Sequence, residues 1–402
     1  MKRVVFVDEK IVLPLADDAP IKYDLKLAVP LLATLSYKNI SENVRLWMFA
    51  NYFQLTCRKK LASKMRYNHL HIYDVYNPFI IRYYKAINRK YIKNNDIIQT
   101  IKNKIKEQHY IYVKLDRYYL PGFDEYMKTH IYHTECIYGY DVKNEELYII
   151  GFLNLSKSKL KKTVIKFNDF YAAISSTLDF QKNIVITFDR VNTQQKLDFD
   201  YEFILDKLNW YLKSKLPFDY ICETNKEKYT VFSWDFPINQ LYGFKALEQL
   251  GDTIQFLVKR KQFSRARLML QIILEFEILM KDRLEFMFNE DLLPSQTETL
   301  INEYKIVVSS YEFVRNLFIK YEIRKDENDL NKVLEYLNSI IKKEKDLLTK
   351  IINISKKENS IKRKKIFRNQ LVKFKKFFYL YTIFPIFQIT KSIYRVLFNN
   401  RM

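Results

Sequence analysis

Two histidines and three aspartates stand out among the residues able to do chemistry. His130 and His133 precede a Gly139-Tyr140-Asp141 run. A histidine that opens a strand presents its imidazole from a rigid element. Imidazole titrates near neutrality, so His133 suits a general base that activates a thiol or an amine. Upstream, Asp116-Arg117-Tyr118-Tyr119-Leu120-Pro121 places a carboxylate and two phenols at the end of a run of strand formers. Asp116, Tyr118, Tyr119 and Asp141 are therefore candidate substrate contacts. An aspartate at a strand end equally serves as a turn former, and Asp141 is expected to shape the hairpin turn.

The thiols are few. Cys57, Cys136 and Cys222 form an odd set without metal-ligand spacing, which argues against a disulfide framework and for a reducing, cytoplasmic location. Cys136 lies three residues past His133 on one strand, so the two face opposite sides. Cys57 is a candidate nucleophile inside an apparent helix, where an inert, half-buried cysteine is the plainer reading. His69 and His71 alternate without a third ligand, and Asp189, Asp200 and Asp219 are scattered, so no metal site is expected. No glycine-rich phosphate loop is present, and no cofactor is expected.

The elements that must position these residues fall into two groups. Apolar spacing predicts helices over 24–37, 43–61 and 85–108, the first with Pro30 in its opening turns. Strands are predicted over 110–115, 133–140 and 146–152, the last two joined by a hairpin connection at 141–145. Further strands are expected over 163–167, 183–190 and 229–234. Helices are expected from Asn168 and from Asp200. After Pro237 the pattern becomes helical, with long helices over 264–288, 298–321 and 328–356. The domain boundary is placed at 240, with residues 241–360 a helical bundle or hairpin.

The chain has 402 residues, is 48% hydrophobic and carries 31 Tyr and 30 Phe, enough to bury a large core. The N-terminal stretch meets Asp8 before any apolar run of signal-peptide length. Its net charge is +22, and half of that excess lies in 361–402, where eleven Lys or Arg meet no acid. The lysine, isoleucine and asparagine bias elsewhere suits an AT-rich genome, so no specific nucleic-acid partner is expected. Within the basic tail, 377–390 is an uncharged aromatic run broken by Pro385. It is too short to span a bilayer. It fits docking within the protein, an anionic membrane surface or an acidic partner.

Together the Asp-x-Tyr-Tyr-Leu-Pro run, the His-x5-Gly-Tyr-Asp run and the Ile165-Lys166-Phe167-Asn168-Asp169-Phe170 step resemble the N-terminal domain of the butirosin-type acyltransferase family. This is a bacterial, papain-like group close to the C39 cysteine peptidases and found with natural-product (nonribosomal peptide) pathways. Tyr242-Gly243-Phe244 and the run from Leu274 to Leu284 resemble its helical half. The resemblance implies an α+β, papain-like domain over 1–240 with an antiparallel sheet, followed by an all-helical region. It also implies a papain-like acyl- or peptidyltransferase that forms amides from carrier-protein-bound thioesters. The partners would be an acyl or peptidyl carrier protein and an amine acceptor, with His133 as base.

The sequence departs from that pattern twice. The residues around 21–26, where the family places its cysteine, read Ile-Lys-Tyr-Asp-Leu-Lys, with Asp24 in the nucleophile's place. Gly151 stands 18 residues after His133, where the orienting acid is expected, and Asn154 is the candidate substitute. The alternative function is a non-catalytic papain-like homologue that binds a carrier protein, a peptide or a catalytic paralogue.

Overall fold

The computed structural model describes residues 10–58, 70–72, 77–88, 96–152, 160–178, 183–195, 201–215 and 240–362. Its first half is built around a seven-stranded sheet. The strands are β1 (Lys10–Val12), β4 (Ile80–Asn88), β5 (His109–Asp116), β6 (Tyr132–Asp141), β7 (Glu146–Phe152), β8 (Leu160–Lys166) and β9 (Asn183–Val191). The order is β4-β9-β5-β6-β7-β8, with β1 paired to the end of β6, and every pairing is antiparallel. A smaller sheet joins β10 (Gln240–Tyr242), β2 (Leu55–Arg58) and β3 (His71–Ile72).

Side-chain alternation gives the large sheet two distinct faces. Through the β5–β6 register, Val113, Leu115, His133, Glu135 and Ile137 share one face, and Tyr112, Lys114, Thr134 and Cys136 share the other. Helix α1 (Leu25–Leu35) covers the second face. Asp24 caps it by accepting the Lys26 N–H at 2.8 Å, and Lys26 lies against Tyr112, Lys114 and Thr134. Pro30 lies in the middle of α1, where it takes the place of a backbone donor, and the helix nonetheless buries its apolar residues from Leu25 to Ala33.

The remaining helices of this half are α2 (Ser41–Asn51), α3 (Asp96–Lys106), α4 (Phe167–Leu178) and α5 (Tyr201–Leu212). From Gly243 to Lys362 the chain is helical, in α6 (Gly243–Glu248), α7 (Leu250–Lys259), α8 (Phe263–Asn289), α9 (Glu298–Arg324) and α10 (Glu327–Lys362). One hydrophobic core runs from Leu13 to Ile352 through both halves. Polar ties cross between them as well. Glu275 of α8 accepts the Lys22 and Tyr23 N–H groups at 2.7 and 3.1 Å. Arg283 donates to the Phe49 and Tyr52 carbonyls, each at 2.7 Å.

Several expectations from the sequence need correction. The helix expected over 43–61 stops at Asn51, and residues 55–58 instead pair in a sheet, because long-range partners in β10 and β3 outcompete local helical spacing. The helix expected over 85–108 starts only at Asp96. Residues 80–88 instead pair with β9 over nine residues. The Gly139-Tyr140-Asp141 run is strand rather than turn, and the turn follows Asp141. Gly139 is required there because β1 presses close, and a Cβ would meet the Ile11 carbonyl at 2.7 Å. The strand expected over 229–234 and the basic tail beyond 362 lie outside the described residues. Among the described residues, no helix is long and apolar enough to cross a membrane.

Candidate active site

His133 sits at the start of β6 with its side chain 29% exposed. Its Nδ1 is 2.9 Å from Glu135 Oε1, two residues along the same strand and on the same face. Glu135 is fully buried, as is Arg117, which donates to the same oxygen through Nε at 2.8 Å and lies within 2.7 Å of it through Nη2. Arg117 also packs over the Phe123 ring at 4.7 Å and lies 3.6 Å from Glu125.

Arg117 Nη2 is 3.1 Å from His133 Nδ1 as well, which raises the question of the tautomer. A lone pair on Nδ1 would face the Glu135 carboxylate at 2.9 Å, an arrangement of two acceptors that repel. With its proton on Nδ1 the ring donates to Glu135 and leaves the Nε2 lone pair to accept a proton from a substrate; with its proton on Nε2, Nδ1 accepts from Arg117. His133 also meets Phe152 edge-to-face at a ring separation of 6.2 Å.

Gly151, where the resemblance placed an orienting acid, lies across from a carboxylate on the neighbouring strand. Cys136 pairs with Ile150, so Glu135 lies across from Gly151. A Cβ built on Gly151 would meet Glu135 Oε2 at 1.7 Å. The glycine thus leaves the space into which Glu135 folds, and the carboxylate reaches the imidazole from β6 instead of β7. Sequence reasoning missed both Glu135 and Arg117. The signal for Glu135 was present, because a residue at i+2 on a strand shares its neighbour's face.

A second histidine–carboxylate pair lies at the same end of β6. His130 Nδ1 is 2.7 Å from Asp116 Oδ2, and the Ser176 hydroxyl donates to that oxygen at 2.7 Å. Asp116 is fully buried, and its Oδ1 accepts the Tyr118 N–H. Its carboxylate is thus engaged inside the protein, with His130, Ser176 and the Tyr118 N–H as its partners. His130 is half-exposed and stacks on Tyr118 at 4.2 Å. Tyr119 meets Tyr118 edge-to-face at 5.0 Å.

The other predicted site residues do not join this cluster. Asp24 caps α1 on the face of the sheet opposite His133, so it does not occupy a nucleophile position facing the imidazole. Cys57 belongs to the small sheet, with its Sγ against the Ala246 carbonyl at 3.8 Å, and burial pushes its thiol up to about 12. A thiol held that far above neutrality is inert as a nucleophile. Cys136 is fully buried, turned away from His133, and shifted upward for the same reason. Asp141 is at the far end of β6 and serves the turn: Asn144 donates to it through its backbone at 3.0 Å and its side chain at 3.1 Å. Those hydrogen bonds, the backbone one first, hold its carboxyl below the usual range. Asn154 lies outside the described residues. Among the described residues, no group of three or more His, Cys, Asp or Glu could hold a metal ion.

The arrangement can move a proton. His133, held beside a buried carboxylate that is itself paired with a buried guanidinium, has the placement a general base needs at a partly open surface. No protein-family model matches the chain, and no curated protein is significantly similar to it.

Proposed function

We propose that the chain is a papain-like homologue that transfers an acyl or peptidyl group from a carrier-protein thioester to an amine by direct, general-base catalysis. The observation that carries this reading is the His133–Glu135 contact at 2.9 Å, which leaves Nε2 as the base in the tautomer that holds its proton on Nδ1. The resemblance to the butirosin-type family supplies the substrate class and the partner. In this scheme the amine nitrogen attacks the thioester carbonyl while its proton passes to His133 Nε2. The carbon–sulfur bond then breaks, and the imidazolium returns the proton to the leaving thiolate. The scheme uses no acyl-enzyme on Cys57 or Cys136, the two cysteines among the described residues, both of which are buried.

A second reading is favoured by the position of Asp24, a helix cap where the family has its cysteine. In that reading the domain binds a carrier protein, a peptide or a catalytic paralogue without reacting. The test is to incubate the full chain with acyl-loaded carrier protein and an amine, and to follow amide product and protein adducts by mass spectrometry. The expected result is amide formation without an adduct, reduced on the order of 100-fold or more in His133→Gln. Carrier binding with no product would select the second reading. An adduct on a cysteine would refute direct transfer.

A further inference from the structure

The Arg117 guanidinium beside His133 has more hydrogen-bonding capacity than it uses. Its Nε and Nη2 both converge on Glu135 Oε1, at 2.8 and 2.7 Å, and Nη2 also lies 3.1 Å from His133 Nδ1. His133 Nδ1 is 2.9 Å from the same oxygen, which therefore meets three nitrogens. The outer atoms are idle. Arg117 Nη1, Glu135 Oε2 and Glu125 Oε2 are buried and make no hydrogen bond among the described residues. A buried donor or acceptor left unpaired is costly. Two of these idle atoms face each other, for Nη1 and Glu125 Oε2 stand 3.6 Å apart, just beyond hydrogen-bond reach.

A small in-plane swing of the guanidinium closes that gap. The fork is rigid, so bringing Nη1 onto Glu125 carries Nη2 away from His133 Nδ1. The Phe123 ring, its centroid 4.7 Å from the guanidinium carbon, offers a flat face for the movement. Glu125 is set by its own turn, where its carbonyl accepts the Lys128 and Thr129 N–H groups at 3.0 and 3.1 Å. Each position of Arg117 makes one hydrogen bond that the other lacks. Their consequences for His133 are opposite. With Nη2 donating to Nδ1, the ring proton sits on Nε2, which then cannot serve as a base. With Arg117 drawn to Glu125, only the Glu135 carboxylate faces Nδ1, the proton sits there, and Nε2 can accept.

We infer that Arg117 is a two-position element, drawn by Glu125, that sets which ring nitrogen of His133 carries the proton. Arg117 and Glu125 are thus positioning residues that act through His133. The consequence for catalysis rests on the base role proposed above; the placement of the proton does not.

The experiment is nitrogen NMR of the full chain labelled with 15N-histidine, at about pH 8.5, where an ordinary imidazole is neutral. The His133 signals are assigned by their loss in His133→Gln, and the shifts of the two ring nitrogens report which one holds the proton. In the wild type both should lie between the protonated and unprotonated positions, as two exchanging forms require. Glu125→Gln weakens the pull on Arg117 and should move the ratio toward the Nε2–H form by about fivefold. Arg117→Lys lacks the second prong and should move it toward the Nδ1–H form. His109, at the far end of β5, should not change in either variant. If Arg117→Lys fails to fold, Glu125→Gln decides alone. A His133 that neither variant moves, or that both move in one direction, would overturn the inference and leave Arg117 a purely structural cation. In the acyl-transfer assay, Glu125→Gln should lose amide formation in proportion to its Nδ1–H share. The expected NMR shifts with no amide from any of the proteins would uphold the inference and refute acyl transfer.

Discussion

At the scale of single residues, the consequential pair is Glu135 and Gly151. They occupy one volume from opposite strands, so a side chain at 151 and the carboxylate of 135 exclude each other. Gly151→Asp alone should destabilise the protein, because the new Cβ collides with Glu135 Oε2. Glu135→Ala alone should cost about 3–5 kcal/mol, since it leaves the buried Arg117 guanidinium without its partner. Combining the two moves the carboxylate back to β7. Urea denaturation of the four proteins is expected to give a double variant more stable than the sum of the singles by about 1–3 kcal/mol. Strict additivity would show that the two positions do not share one carboxylate site.

At the scale of elements, the helical half is organised around two buried carboxylates. Glu277 of α8 accepts the Tyr304 hydroxyl from α9. Glu344 of α10 accepts from Tyr311 of α9 at 2.7 Å and from Tyr211 of α5 at 3.1 Å. Burial is the main cause that raises both acids, Glu277 well above the usual range and Glu344 to about 8. A carboxyl raised in the folded chain holds a proton that the unfolded chain releases. Its contribution to stability is thus intact below the ordinary glutamate range and is lost as pH rises toward the raised value. Glu344→Gln keeps one acceptor oxygen, presents an N–H to the other tyrosine's hydroxyl oxygen as a protonated carboxyl does, and removes the titration. Thermal melts should show it more stable than wild type by about 2 kcal/mol at pH 8, with little difference at pH 4. A pH-independent difference would mean that the Glu344 carboxyl titrates alike in the folded and unfolded chains.

At the scale of the molecule, the sheet and the helices share one core, and Arg283 is the strongest polar tie between them. Its guanidinium is fully buried, serves two carbonyls at the end of α2 and sits 3.7 Å over the Phe53 ring. Arg283→Met fills similar volume but leaves the Phe49 and Tyr52 carbonyls without their donor. A loss of about 3 kcal/mol is expected in denaturant titration. Because the tie joins both halves, unfolding should remain a single transition detected identically by far-ultraviolet dichroism and tyrosine fluorescence. Two separated transitions would show that the halves fold independently despite the shared core.

Much of the architecture was legible without coordinates. Runs of strand-forming residues over 110–115 and 146–152 and long apolar periodicity after 260 reflect local backbone preference reinforced by burial, and each became the expected element. The antiparallel hairpin carrying His133 followed from the same pattern. Residues 55–58 and 80–88 were misread because their conformation depends on partners far along the chain, in β10 and β9, which no local window contains. The site divides along the same line. His133 was identifiable as a candidate base from its residue type and its place at a strand start. Its carboxylate was sought along the chain at position 151, whereas tertiary pairing supplies it from Glu135 through the space that Gly151 leaves empty. That Asp24 and Cys57 lie away from His133 was also decided only in three dimensions, because alternation and sheet membership, not sequence distance, determine which side chains can meet.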